Sequence, residues 1–338
     1  MTGKRYIYYL LLAMILVLFA GCSNTRFLAD NEILYTGKDH VILTDSGSYY
    51  TKEINRIVKS TTAYKPNNSI GGKRVLPPVG LWIYNYLKPK EGKERGGWLY
   101  RNLASEPVLI STVNPELRCR KIESELFNIG YFKADAYAER NIREKNQDKS
   151  TITYYVKPGM PYRYDSVTFA EPKENIDSLI NKHQNELRIE PGDVFELDKI
   201  REGSQYLAEI AQNEGFYYFS PEDMEWKADT SGIPYRIDMT IGRKTEDKPE
   251  SSGKYIIGKI TVTIISEDQE IEAYRPVDTT GYDALEIVTD KDYIIKPSVI
   301  SSNIYFRPGD YYSLEKYRQT ITRLNNLGIF KFINVQFF

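Results

Sequence analysis

The chain has 338 residues, 45 Lys plus Arg against 46 Asp plus Glu, and a hydrophobic share of 41%. That length accommodates two or three domains at roughly 100 to 200 residues each, with apolar content enough for a core in each. A formal net charge of −1, two histidines and two cysteines exclude a globally basic nucleic-acid binder, a disulfide framework and a four-thiolate zinc site.

The N-terminus reads as a targeting segment. Lys4 and Arg5 precede an apolar run from Tyr6 to Ala20 that ends in Phe19-Ala20-Gly21-Cys22. The run is too short to span a bilayer, which takes about 20 apolar residues. A basic head, a short apolar middle and small residues before a cysteine form a secretory signal. Cys22 directly after Ala-Gly resembles the bacterial lipoprotein lipobox, with Phe19 where Leu is commoner. That resemblance implies a signal peptide over 1–21, diacylglycerol on Cys22 and a tether over 22–30. Ser23 to Arg26 are not acidic, so the expected location is an outer membrane, facing the periplasm.

Beyond the tether, one pattern occurs three times: a helix closed by glycine and followed by aromatic residues. The first copy runs from Pro115 through Ile129-Gly130-Tyr131-Phe132, the second from Leu197 through Gly215-Phe216-Tyr217-Tyr218-Phe219, and the third through Leu327-Gly328-Ile329-Phe330. Glycine takes the left-handed conformation that ends a helix, and the next aromatic can fold back on its apolar face. Two of these helices follow a Pro-Gly-Asp turn, Pro191-Gly192-Asp193 and Pro308-Gly309-Asp310. Shorter helices are expected over 175–187 and 297–305, strands over 164–169 and 255–265 before them, and closing strands over 151–156 and 235–241. Each unit reads strand, helix, helix, strand, strand. The fold class is therefore α+β, small sheets with two helices on one face, in an extended series.

The order of elements, the Pro-Gly-Asp turns and the glycine-aromatic endings resemble tandem POTRA domains of the BamA/TamA family of outer-membrane assembly factors. With a lipobox in front, the chain is similar to the lipidated TamL branch. The resemblance covers 31–338: module one over 31–158 with an insertion at about 61–113, module two over 159–245, and module three over 254–338. Module three lacks a closing strand, and the membrane barrel normal in the family is not found in this sequence. The resemblance implies binding of unfolded outer-membrane proteins by strand addition, and docking of periplasmic or inner-membrane accessory proteins. Expected client-binding edges carry Phe132, Ala134, Ala136, Phe216, Tyr218, Phe330 and Phe332. The alternative is a lipid-anchored envelope scaffold without client binding.

The insertion is basic and aromatic. Residues 65–101 hold eight Lys or Arg against Glu91 and Glu94, a net of +6, beside Leu81-Trp82-Ile83-Tyr84-Asn85-Tyr86-Leu87. Trp82, Tyr84, Tyr86, Lys88, Lys90, Lys93 and Arg95 are candidates for contact with a membrane or an anionic partner. The competing reading packs the aromatics on module one beneath a solvated loop.

No catalytic, metal or cofactor site is expected. His40 and His183 have no second His or Cys at helical spacing, and no Gly-x-Ser-x-Gly elbow occurs. Gly253 to Lys259 fit the spacing of a phosphate loop, but Ile260 stands where Ser or Thr would hold magnesium. Cys119 falls on an apolar helix face with Ile122, Leu126 and Ile129, as a buried structural thiol does.

Overall fold

A computed structural model describes residues 25, 28, 31–37, 39–44, 51–67, 69–70, 73–74, 79–87, 97–143, 146–244, 249–265, 278–282, 284–289 and 295–338. The expected signal peptide, Cys22, and Lys88, Lys90, Lys93 and Arg95 lie outside the described residues. The chain divides into two compact units, Met1–Tyr162 and Arg163–Phe338.

The first unit runs β1 (Leu34–Tyr35), β2 (His40–Leu43), α1 (Thr51–Thr62), a short hairpin of β3 (Ser69–Ile70) and β4 (Lys73–Arg74), α2 (Val79–Leu87), α3 (Trp98–Leu103), α4 (Ile110–Val113), α5 (Pro115–Asn128), β5 (Asp135–Arg143) and β6 (Asn146–Lys157). In α1, Ile54, Ile57, Val58 and Thr61 recur at helical spacing and are buried. Helix α5 starts at Pro115, capped by the Asn114 side chain, which accepts from Leu117 N. It buries Cys119, Ile122 and Leu126 against Ile152, Tyr154 and Val156, which alternate along β6. β6 is central: β5 pairs with it antiparallel, β1 and β2 parallel.

In the second unit, β7 (Arg163–Phe169), α6 (Asn175–Lys182), α7 (Leu197–Asn213), β8 (Met224–Asp229) and β9 (Arg236–Arg243) repeat the order. β9 is central, with β7 parallel and β8 antiparallel. Ile237, Met239 and Ile241 alternate inward from β9. Arg243, at the end of β9, is nearly buried and pairs with Asp177 at 2.9 Å and Glu174 at 3.1 Å at the start of α6.

The third sheet departs from expectation. It comprises β10 (Ile260–Ile264), β11 (Asp278–Tyr282) and β12 (Leu285–Thr289), all before α8 (Pro297–Ser301) and α9 (Leu314–Asn326). β12 is central, parallel to β10 and antiparallel to β11. The hairpin thus takes the sheet position that β8 and β9 hold in module two, although it precedes the helices. No strand forms over 329–338. Phe337 instead packs its ring on Tyr217, Tyr312 and Phe306, with centroids 5.2 to 5.7 Å apart.

Candidate functional site

A backbone clasp recurs in all three modules. Each opening segment crosses the residues before the second helix in an isolated antiparallel bridge: Leu34 with Leu109, Arg163 with Val194, Ile256 with Tyr311. In module two, Gly192 N donates to Tyr164 O and Tyr164 N to Asp193 O; in module three, Gly309 N donates to Ile257 O and Ile257 N to Asp310 O. The glycines need their positive φ, 95° and 91°, to turn the chain into this clasp. Asp310 also pairs with Lys316 and Asp193 with Lys199, six residues on in each case. Module one has no Pro-Gly-Asp, yet Tyr35 N donates to Val108 O and Ile110 N to Ile33 O. There the Asn67 amide holds the loop, donating to Glu106 O and accepting from Val108 N. The Pro-Gly-Asp turn is thus more than a helix cap: it fixes where the first strand starts.

The helix-ending glycines also have a second task. The carbonyl of Gly130 accepts from Tyr162 N at 2.8 Å, and that of Gly215 from Tyr255 N at 2.8 Å. In the second unit the join is reinforced. Asn213, at the end of α7, accepts from Glu315 N in the first turn of α9, and Glu209 of α7 pairs with Arg318 of α9 at 2.9 Å.

The strands after these glycines start later than their aromatics. Tyr131 N donates to Leu126 O and Phe216 N to Ala211 O, so the chain folds back on the helix before it extends. Phe132 and Ala134 therefore precede β5; Phe132 stacks between Phe127 and Tyr162. Phe216 is buried and Tyr218 exposed, both before β8. Phe330 packs on the third core and Phe332 is 85% exposed, neither in a strand. Of the seven residues expected on edges, only Ala136 lies in a strand.

In the hairpins of modules one and two the edge strands are β5 and β8; β1 and β2, β7, and the outer strands β10 and β11 of the third sheet are edges as well. Among the described residues each has a partner strand on one side only. Ala136 N does not reach β6 but donates to the Glu123 carboxylate of α5 at 2.9 Å. By the alternation of an antiparallel ladder, Ala138 and Arg140 then also aim N–H and C=O outward, while Tyr137 and Glu139 bond to β6. Their inward side chains are small: Ala136 is buried and Ala138 packs against the core. Glu123 thus covers the first outward donor of this edge, a device that limits unwanted pairing. Its charge and that of Glu116 and Asp135 act after burial to push the Cys119 thiol up to about 11.

Within the insertion, α2 and α3 form a helix pair. Tyr84 of α2 stacks on Tyr100 of α3 at 6.0 Å, and Ser105 N donates to Gly80 O. A Cβ at Gly80 would lie 2.6 Å from Ser105 Oγ, so glycine permits the approach. Leu81 and Asn85 are buried, Trp82 and Tyr84 half-buried, and Tyr86 exposed. The sequence reading missed Trp98, Leu99 and Leu103 of α3, all exposed. Their spacing on a six-residue helix was the available signal.

Other constellations are ordinary. His183 contacts Glu186 at 3.2 Å on an exposed surface. Gly253 to Lys259 form the opening segment of module three, its Tyr255 and Ile257 committed to the contacts above. A depression of 250 Å³ is lined by Arg188, Lys199, Glu202 and Tyr206 among others. Among the described residues no group of three His, Cys, Asp or Glu could hold a metal ion, and no helix is long and apolar enough to cross a membrane.

Neither a scan of protein families nor a search of curated proteins finds a match. Among solved structures the chain is similar to POTRA domains 3–5 of Haemophilus influenzae BamA, at 10% identity and TM-score 0.42 over 91% of each chain. It is also similar to the N-terminal domain of Omp85 from Thermosynechococcus elongatus, at 11% identity and TM-score 0.30 over 91% of each chain. POTRA domains 1–3 of Omp85 from Anabaena match at 10% identity and TM-score 0.30, over 90% of this chain and 89% of that one.

Proposed function

We propose that this chain is the periplasmic POTRA region of an outer-membrane protein assembly factor of the lipidated TamL type, anchored through Cys22 and acting by binding rather than catalysis. Its clients are unfolded outer-membrane strands, which add to the open edge of β5. One observation carries the reading: β6 is central in module one, so among the described residues its hairpin partner β5 leaves one ladder edge open. Strand addition recognises backbone and tolerates varied side chains, as a factor with many clients requires. At about 1 kcal/mol net per hydrogen bond, a short edge binds weakly and reversibly.

Ala138→Pro tests it. The substitution removes an outward N–H without deleting a bond to β6, as proline tolerates only on edges. Affinity for an unfolded barrel strand is expected to fall about fivefold for the lost bond. Unchanged affinity in a folded variant rejects the edge. The scaffold reading is favoured by the α7–α9 join; in that case neutralising Lys88, Lys90, Lys93 and Arg95 abolishes partner contact and Ala138→Pro has no effect.

A further inference from the structure

We propose that α2 and α3 form a membrane-interfacial foot that seats module one on an anionic lipid surface. Val79, Tyr86, Leu87, Trp98, Leu99 and Leu103 expose large apolar side chains within 25 residues, Trp98 at 64% exposure. The Tyr84–Tyr100 stack and the Gly80 approach hold the two helices together while these side chains stay outside. At nine and six residues, both helices are too short to span a bilayer and are suited to lie in its interface. Trp and Tyr favour that depth. The occupant follows from charge: the described residues within 65–101 include Lys65, Lys73, Arg74 and Arg101 and no Asp or Glu. Such a segment is drawn to an anionic leaflet, where each basic residue adds to binding.

Position supports the same occupant. The base of the insertion is hydrogen-bonded to Ile33 and Tyr35. Ile33 lies 11 residues after Cys22, a reach of at most about 40 Å. An acyl group on Cys22 and the foot could therefore engage one leaflet together, each raising the effective concentration of the other. The proposal rests on the lipid-anchored reading above, and the test separates the two.

The test uses the mature full chain with Trp82→Phe and Trp226→Phe, leaving Trp98 as the reporter, in vesicles with brominated acyl chains. Trp98 emission is expected to be quenched strongly with phosphatidylglycerol present and weakly in phosphatidylcholine alone. Leu99→Ser/Leu103→Ser should reduce the quenching roughly tenfold, with unchanged near-ultraviolet dichroism as the folding control. Unquenched Trp98 in anionic vesicles overturns the foot, as does shielding of Trp98 by a soluble protein with no effect of lipid. The mass of the Cys22 peptide reports the anchor separately. Acylated Cys22 with unquenched Trp98 defeats the foot alone; unmodified Cys22 with quenched Trp98 defeats the anchor alone.

Discussion

Replacing Glu123 by alanine is expected to weaken module one and, under the strand-addition proposal, to strengthen binding of an unfolded barrel strand. The carboxylate accepts from Ala136 N at 2.9 Å and is half-buried over the edge of β5. A hydrogen bond to a charged group contributes about 1.5 to 3 kcal/mol. Partial exposure brings this toward the lower figure, and alanine returns a few tenths in helix propensity. The net loss of stability is then about 1 kcal/mol. The same change frees an edge N–H for an incoming strand, worth about 1 kcal/mol or a fivefold gain in affinity. Urea unfolding would report the first effect, and anisotropy of a labelled barrel-strand peptide the second. Glu123→Gln keeps an acceptor and should sit near wild type in both. A destabilised Glu123→Ala chain that binds the peptide no better would refute the idea that Glu123 guards a client edge.

Two further outcomes follow from the second unit. Burial raises the Asp177 carboxyl, but the Arg243 hydrogen bond and the N–H groups of Lys173 and Glu174 outweigh it and hold it below the usual carboxylate range. A depressed acid binds protons more readily when unfolded, so its stabilisation is present above about pH 4 and lost as pH falls through the lower folded value. Arg243→Met should cost about 3 to 5 kcal/mol at neutral pH and flatten this acid limb in denaturation curves; an unaltered acid limb would count against the pair. Gly215 sits at φ +102°, and a Cβ there would lie 3.3 Å from Tyr311, whereas Gly192 at φ +95° has open space. Gly215→Ala should therefore cost more than the roughly 1 to 2 kcal/mol of backbone strain expected for Gly192→Ala, read by thermal unfolding of both; equal losses would discount the Tyr311 contact.

Much of modules one and two was legible because their periodicities are local. Cys119, Ile122 and Leu126 mark the buried face of α5, and Ile152, Tyr154 and Val156 that of β6. The glycine-aromatic endings also read correctly as helix stops. Their continuation did not: a backbone bond from Tyr131 to Leu126 shifts β5 past Phe132 and Ala134. In module three the alternation of Leu285 to Thr289 was present, but a strand placed before the helices was not anticipated as the centre of the sheet.

Which segments become helices and strands was thus set by residue spacing, turn glycines and capping side chains, all short-range terms written along the chain. Which strand is central, which edge stays open and which side chain covers it depended on pairing between residues far apart in sequence. Ala136 shows the division. Its place in an alternating run marks a strand, but its N–H is taken by a glutamate 13 residues earlier, a contact that exists only once α5 is packed over the sheet.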